Sequence, residues 1–281
     1  MKTILLPFHD DDIDQSALET ALHVAERFNA YIEGLFVWQP PQIIAGAGEG
    51  ITLYGDYVTQ MAAEGRQLAQ QARERFTAIM QARGIPLQAS LQTGLAAGWY
   101  EGEGLEDRVV GDYGRVFDLL VVGRCGKPAS GDWTATCEAA LFESGRPIIL
   151  APPHAPQTLG QRILVAWNGS TETARTVALG MPFLQQAREV LVLTAEGETV
   201  PGPSGEHMAV CLQRNGIPAQ ARTVQQQGRP MGQTALDEAQ AFDADLLVKG
   251  AYTQSRLRQM IFGGATRHIM THAQIPVLMA H

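Results

Sequence analysis

The chain has 281 residues, of which 45% are apolar and 18% charged, and this predicts a globular protein of about two domains. No apolar run approaches the roughly 18 residues of a membrane helix, and the short apolar start, which ends at Asp10–Asp12, does not have the length of a signal peptide. Three cysteines without ligand spacing fit a reducing compartment. We therefore expect a cytoplasmic protein with no membrane partner.

The net charge of −8 is unevenly distributed. Residues 1–155 contain 11 Lys/Arg and 20 Asp/Glu, a net of −9, whereas residues 156–281 contain 10 and 9, a net of +1. An acidic chain without a basic stripe lacks the electrostatic footprint of a nucleic-acid binder, so we expect no nucleic-acid partner. An anionic ligand should prefer the second half.

Predicted strands and helices alternate along the first half. A glycine-rich stretch, Pro40–Tyr57, separates the second strand from the second helix and predicts a long surface loop or a flap over a site. A stiff linker, residues 152–156, ends this half. The strands are predicted at 2–8, 30–38, 86–92, 117–122 and 147–151, and the helices at 14–29, 57–83, 103–114 and 134–144.

The same alternation returns in the second half. The strands are predicted at 162–167, 189–194, 219–225, 244–249 and 275–280, and the helices at 171–186, 204–215, 231–242 and 264–273. Four segments of the first half recur in order in the second, which indicates a diverged tandem repeat: 4–7 with 163–166, 83–89 with 215–221, 117–123 with 244–250, and 146–151 with 275–280. Continuous apolar strands alternating with helices predict an α/β fold with parallel sheets covered on both faces.

The most informative stretch follows the fourth strand of the second half. Gly250 ends an apolar run, and Gly263-Gly264 precedes the next predicted helix. Glycines allow close approach of the backbone, and free N–H groups at a helix start attract anions, so this arrangement suits phosphate. Neither a complete Walker A loop nor a complete dinucleotide fingerprint occurs. Three arginines add positive charge nearby: Arg256, Arg258 and Arg267.

With this repeat and glycine turn, the chain resembles a tandem member of the universal stress protein family. The resemblance implies two domains, 1–153 and 157–281, each a doubly wound five-stranded parallel sheet of order 3-2-1-4-5. Family members that bind nucleotide carry Gly-x2-Gly-x9-Gly-[Ser/Thr] after the fourth strand and an acidic residue, usually in Asp-Gly-Ser, after the first. The resemblance implies binding of ATP, with or without Mg²⁺, or of another adenine nucleotide where these residues survive.

The second half retains part of this pattern. Gly250 and Gly263 match two glycines, Thr253 replaces another, and Asn168 stands in place of the aspartate before Gly-Ser. Ligands of such sheets bind at the switch in strand order, which here lies between the ends of the first and fourth strands. The candidate nucleotide-binding residues are Asn168, Gly169, Ser170, Thr194, Gly250, Thr253, Arg256, Gly263, Gly264, Ala265 and Thr266.

The first half departs further from the pattern. Gly123 and Gly126 match the first two glycines, but Thr136-Cys137 stands where Gly-[Ser/Thr] is expected and His9 occupies the acidic position. The carboxylates of Asp10–Asp12 would repel phosphate at this edge. We therefore expect no nucleotide in the first half.

Other polar residues have structural interpretations. His268 and His272 are spaced i, i+4 without a third metal ligand, so a helix-end cation or packed side chains are favoured over a metal site. Asp118 and its repeat Asp245 start the fourth strands, at the end opposite the crevice, which indicates a structural role.

The sequence shows no recognisable pair of a nucleophile and a general base. Phosphoryl transfer would need both a metal site and a base. We therefore predict a stress-response protein that acts through binding, with a slow ATPase as one alternative. The other alternative is an interaction, scaffold or metabolite-binding protein in which both nucleotide sites have lapsed. We also expect the two domains to form a pseudo-symmetric pair or the chain to form a homo-oligomer.

Overall fold

A computed structural model shows that the chain is an α/β protein built on a ten-stranded sheet. The described residues are 1–9, 12–40, 51–87, 94–123, 133–197, 199–226, 228–251 and 264–281. None of the helices in these ranges combines the length and apolar composition needed to cross a membrane.

The strands of the two halves form one continuous sheet, in the order β3-β2-β1-β4-β5-β10-β9-β6-β7-β8. The pairs within each half are parallel, and the pair that joins the halves, β5 with β10, is antiparallel. The strands are β1 (Thr3–Pro7), β2 (Tyr31–Trp38), β3 (Ala96–Glu103), β4 (Leu119–Val122), β5 (Ile148–Leu150), β6 (Arg162–Ala166), β7 (Glu189–Ala195), β8 (Ala219–Val224), β9 (Leu246–Gly250) and β10 (Val277–Ala280).

Helices cover both faces of the sheet, which confirms the predicted α/β architecture. One buried cluster includes side chains of α1, α2 and α5 to α7, and a second cluster on the other face includes side chains of α3, α4, α8 and α9. Because both faces are covered, the central strands are apolar along their whole length. The helices are α1 (Asp12–Phe28), α2 (Ile51–Ala82), α3 (Glu106–Tyr113), α4 (Trp133–Phe142), α5 (Thr171–Leu179), α6 (Met181–Leu184), α7 (Gly205–Arg214), α8 (Met231–Ala241) and α9 (Ala265–His272), with a 3-10 turn at Gly114–Val116.

The antiparallel pair relates the two halves by a pseudo-twofold axis. Leu278 pairs with Ile149, and these two residues are equivalent in the sequence repeat. The helix α1 of the first half adds a second contact, because Arg27 donates hydrogen bonds to the carbonyls of Leu159 (2.5 Å), Gly160 (3.1 Å) and Gln186 (2.8 Å). The two halves, which were predicted to have a sheet each, therefore share one sheet through the β5–β10 pair.

Three predicted elements are wrong in position. The third strand, predicted at 86–92, runs from Ala96 to Glu103, and within the described part of the predicted segment Leu87 forms an isolated bridge with Ala97. As an edge strand it contains Gly98, Gly102 and acidic residues, which hide the alternation of apolar residues. Part of the predicted loop 40–57 is helical, because α2 begins at Ile51. The helix predicted at 171–186 divides at Gly180, where Pro182 starts a new short helix.

Candidate functional site

The turn after β6 is fixed by its own side chains. The Asn168 Oδ1 atom accepts hydrogen bonds from the Ser170 backbone N–H (3.2 Å) and from the Thr173 hydroxyl (2.8 Å). The Ser170 hydroxyl oxygen accepts from the Thr173 N–H (3.2 Å) and so caps the start of α5. Gly169 has a φ of +83°, which favours glycine. The Asn168-Gly169-Ser170 turn therefore holds an amide oxygen at the carboxyl end of β6.

Gly250, at the end of β9, lies directly against the first turn of α5. A Cβ atom at this position would be 2.4 Å from the Thr173 nitrogen and 2.7 Å from the Glu172 carbonyl carbon. The neighbouring β6–β9 pairing places Ala166 opposite Lys249, so the ends of both strands lie at the same edge. Glycine is thus required here for strand-to-helix packing, independently of any ligand.

Lys249 brings a positive charge to this edge. Its Nζ atom donates hydrogen bonds to the Gly250 carbonyl (2.9 Å) and to the buried Thr266 hydroxyl (2.9 Å) on α9. Gly264 is the N-cap of α9 and is exposed, and it has no side chain to cap the helix. No atom of the described residues lies within 4 Å of the position that its Cβ would take. A helix start of this kind presents backbone N–H groups and the positive end of the helix dipole.

Thr194, on β7, carries a buried hydroxyl that has no hydrogen-bond partner among the described residues. The hydroxyl oxygen lies beside α7, because a Cβ atom at Gly205 would be 2.5 Å from it. A buried polar atom without a partner destabilises the unliganded fold, and such atoms in native structures point to an absent ligand or water. The position adjoins β6, the strand at which the order reverses.

The segment between β7 and α7 packs over the turn after β6. The Val200 N–H donates to the Asn168 carbonyl (3.0 Å), and the Trp167 indole N–H donates to the Pro203 carbonyl (2.8 Å). A Cβ atom at Gly202 would be 2.4 Å from the Gly169 oxygen. The backbone of Gly169 is therefore covered, and Gly169 serves the turn.

Among the predicted site residues, the structure brings together Asn168, Gly169, Ser170, Gly250 and Thr266. Gly264 and Ala265 start the helix to which Thr266 belongs, and Thr194 lies one strand away. The predicted residues Thr253, Arg256 and Gly263 lie outside the described residues, as does Arg258. Sequence reasoning missed Lys249 as a site residue. A lysine that directly follows three consecutive apolar residues, near the end of a buried strand, could have indicated it.

The equivalent crevice of the first half contains a side-chain cluster. His9, two residues after β1, contacts Glu106 of α3, with 3.0 Å between Nε2 and Oε2. The Thr136 hydroxyl of α4 donates to the other oxygen of Glu106 at 2.9 Å. This carboxylate adds to the negative charge expected from Asp10–Asp12. That the first half binds no nucleotide stays a prediction.

The two histidines of α9 are stacked, with ring centroids 4.2 Å apart. His268 contacts the Gln233 side-chain oxygen at 3.0 Å, and the His272 Nδ1 atom contacts the His268 carbonyl at 2.9 Å. Burial, followed by the charge of His272, lowers the pKa of His268 below its usual value. Within the described ranges, no group of three or more metal-ligating side chains occurs.

Asp118 and Asp245 have the same structural role in the two halves. The carboxylate of Asp118 accepts from the backbone N–H groups of Lys2 (2.6 Å) and Thr3 (3.2 Å). That of Asp245 accepts from Gln161 (3.0 Å) and Arg162 (2.9 Å). Each aspartate therefore ties the start of the fourth strand of its half to the start of the first, at the end of the sheet away from the crevice.

Comparisons with known proteins agree with this architecture. A universal stress protein from Archaeoglobus fulgidus DSM 4304 superposes with a TM-score of 0.71 at 15% identity, covering 99% of this chain and 97% of that chain. A functionally unknown protein from Pseudomonas aeruginosa PAO1 superposes with a TM-score of 0.54 at 14% identity, covering 100% and 92%. At these identities the likeness establishes the fold.

The sequence comparisons are more restricted. No curated protein matches the chain. The model of the universal stress protein family matches residues 160–281, the part that contains the Asn168 turn, Gly250 and α9. This match supports a role in the stress response and confirms the resemblance inferred from the repeat. Residues 160–281 therefore match the universal stress protein family, and this match does not extend over residues 1–159.

Proposed function

We propose that this protein binds ATP or another adenine nucleotide in its second half and acts in the stress response through binding rather than turnover. The observation that carries the proposal is the meeting of three segments at one edge of the sheet: the Asn168 turn, the end of β9 and the start of α9. They meet where the strand order reverses, which is where ligands of doubly wound sheets bind.

The start of α9 is suited to the phosphates. Gly264 leaves the first backbone N–H groups of the helix without a side-chain cap, and no described residue approaches its Cβ position within 4 Å. Lys249 provides a positive charge close to the helix, through its bond to Thr266. Both features attract an anion. Gly263, Thr253 and Arg256 would extend this phosphate site under the same proposal.

The ribose and base would lie towards β6 and β7. Asn168 supplies an amide oxygen that its neighbours hold in place, and Ser170 lies in the same turn. Thr194 supplies a buried hydroxyl for which the described part of the chain provides no acceptor. A ligand that accepts from this hydroxyl removes the cost of an unpaired buried donor, which favours the bound state.

The hydroxyls of the crevice support binding rather than catalysis. The Ser170 oxygen contacts the N–H and the hydroxyl of Thr173 in capping α5, and Thr266 receives the bond from Lys249. Both therefore act in positioning the first turns of α5 and α9.

We further propose two domains, 1–153 and 157–281, in a cytoplasmic protein. The repeated strand order around the pseudo-twofold junction supports these boundaries. The first domain would contribute the β5–β10 junction and the Arg27 contact, whereas the second would hold the nucleotide. Assembly into a homo-oligomer would be independent of this internal pair.

The proposal is tested by isothermal titration of nucleotide-free protein with Mg-ATP, Mg-ADP and AMP. We expect one site per chain. Thr194→Val removes a hydroxyl without changing the side-chain volume, so it should weaken binding by about fivefold to tenfold, the equivalent of one hydrogen bond of roughly 1 kcal/mol. The same variant should keep or gain stability, because it removes an unpaired buried donor. Thr223→Val, on the exposed edge strand β8, is the control for the substitution itself and should leave the affinity for nucleotide unchanged.

Two outcomes would count against the proposal in different ways. Unchanged affinity in Thr194→Val would remove this residue from the site. Absence of saturable binding, with co-purified nucleotide excluded by mass spectrometry, would overturn the nucleotide proposal as a whole.

A second candidate function is recognition of a non-nucleotide metabolite or a protein partner. The observation that favours it is that Asn168 stands in place of a carboxylate and that its Oδ1 atom already accepts two bonds. Asn168→Asp separates the candidates, because a carboxylate keeps both acceptor contacts and adds a charge that strengthens bonds from ribose hydroxyls. Under the nucleotide proposal this variant binds ATP more tightly than the wild type. Under the second candidate neither protein binds ATP.

A further inference from the structure

The first half contains a cavity of about 660 Å³ that is separate from the candidate nucleotide crevice. It lies between the edge strand β3 and the helix α3, with Gln39 and Pro40, just after β2, at its border. Its volume falls within the roughly 300–1,000 Å³ that is typical of small-molecule sites. Neither the sequence repeat nor the family pattern assigns a role to this region.

One wall of the cavity is aromatic. Tyr100 of β3 stacks on Tyr113 of α3 with ring centroids 4.5 Å apart and an angle of 26° between the rings, and Tyr113 meets Phe117 edge-on at 5.3 Å. The Tyr113 hydroxyl donates to Glu33, which also accepts from Tyr31 at 2.5 Å. These contacts fix Tyr113, whereas Tyr100 remains 43% exposed. The cavity therefore has a rigid aromatic surface that is open to a ligand.

Two glycines flank Tyr100 on the same face of β3 and allow close packing there. A Cβ atom at Gly98 would be 1.9 Å from the Tyr31 hydroxyl oxygen, and one at Gly102 would be 2.8 Å from the Val109 Cγ1 atom. A larger residue at Gly102 would therefore displace Val109, which lines the cavity. Leu105, which is 40% exposed, and Pro40 add apolar surface to the aromatic wall.

The lining carries charged side chains of both signs. Asp112 is neutralised by Arg115, with 2.7 Å between the charged atoms. Glu103 and Arg108 also line the cavity, both are exposed, and within the described ranges neither side chain forms an ion pair. A ligand that satisfies both needs an anionic group for the guanidinium and a cationic group for the carboxylate.

We propose that this cavity binds a small aromatic zwitterion, of which a free aromatic amino acid is the simplest representative. Its ring would stack on the exposed face of Tyr100, its carboxylate would pair with the Arg108 guanidinium, and its ammonium group would contact Glu103. The aromatic surface and the two opposite charges together select this class over a purely apolar or a purely anionic molecule.

The test is ligand-observed NMR and calorimetric titration of the full chain with L-phenylalanine. We expect saturable binding that weakens about tenfold in Tyr100→Ala, through loss of stacking, and about tenfold in Arg108→Gln, through loss of the charged contact. Tyr57→Ala, which removes a 55% exposed tyrosine from α2 on the other face of the sheet, is the matched control and should bind as the wild type does.

The ligand side of the test uses two analogues that each lack one charge. Phenethylamine, without the carboxylate, and 3-phenylpropionate, without the ammonium group, should each bind about tenfold more weakly than L-phenylalanine to the wild type. Binding that is equal in the wild type, Tyr100→Ala and Arg108→Gln would overturn the proposal, as would no saturable binding of L-phenylalanine up to about 10 mM. Since Arg108 is exposed, Arg108→Gln keeps the test valid even if Tyr100→Ala misfolds.

Discussion

Replacing Gly250 with alanine tests whether the packing of β9 on α5 requires glycine at this position. The added Cβ would be 2.4 Å from the Thr173 nitrogen and 2.7 Å from two other backbone atoms, where ordinary contact begins at 3.4 Å. The strand and helix would have to separate by roughly 1 Å, because these are backbone atoms that cannot rotate away. Ser170 and Asn168 also fix the start of α5.

We expect Gly250→Ala to reduce the free energy of unfolding by about 1–3 kcal/mol, the usual cost of overpacking a well-packed site. For a chain of this size, each kcal/mol corresponds to roughly 2–4 °C in Tm. The measurement is urea unfolding followed by far-UV circular dichroism, with Tm from calorimetry as a second observable. Nucleotide titration of the same variant should show weaker binding, because the two strand ends move apart.

Gly264→Ser is the control, because Gly264 lies at the same edge without the close backbone contacts of Gly250. No atom of the described residues lies within 4 Å of its Cβ position, and its φ of −80° suits any residue. Serine supplies the missing side-chain cap of α9, so stability should hold or rise by about 0.5 kcal/mol. Our account of Gly250 would be refuted if Gly250→Ala were within about 0.5 kcal/mol of the wild type. If Gly250→Ala were as stable as the wild type and still failed to bind nucleotide, Gly250 would be required for ligand binding instead of for packing.

Three further predictions concern the junction between the halves and two groups with displaced pKa values. Arg27→Met removes the hydrogen bonds of the Arg27 guanidinium to the second half, so the free energy of unfolding measured in urea should fall by about 1–3 kcal/mol. Arg214→Met, on the exposed face of α7, is the control and should lower it by less than about 0.5 kcal/mol. The lowered pKa of His268 means that the folded state resists protonation of this side chain, so Tm should fall as the pH drops below about 6.5. His268→Gln should reduce this fall, and an equal fall in the variant would show that His268 is not its source. Burial and the bonds to Glu33 raise the pKa values of Tyr31 and Tyr113, so stability should decline above about pH 10, and both phenols should ionise only as the protein unfolds. Ultraviolet titration of tyrosinate checks this, and complete ionisation of all 6 tyrosines in the native protein near pH 10 would exclude it.

Part of the candidate site could be predicted from the sequence because the repeat and the glycine pattern mark the ends of strands. Asn168, Gly250 and Thr266 were predicted to lie near one crevice, and the structure places them at the same edge of the sheet. The sequence did not predict that Asn168 bonds to its own neighbours, or that the Thr194 hydroxyl lacks a hydrogen-bond partner among the described residues. Both features depend on the positions of individual side chains. The link from Lys249 to Thr266 joins residues whose contact no local pattern encodes.

The sequence by itself determined the α/β class, the tandem repeat and the position of most strands and helices. Burial on both faces makes the central strands β4, β5 and β10 continuously apolar, and this signal is present in the residues themselves. Only the tertiary structure decided that the halves join through the antiparallel β5–β10 pair and that β3 begins at Ala96. The pattern of apolar residues in a strand indicates how the strand is buried, whereas its pairing partner depends on residues far away in the chain. In an edge strand such as β3 this apolar pattern is weaker, because one of its sides has no neighbouring strand.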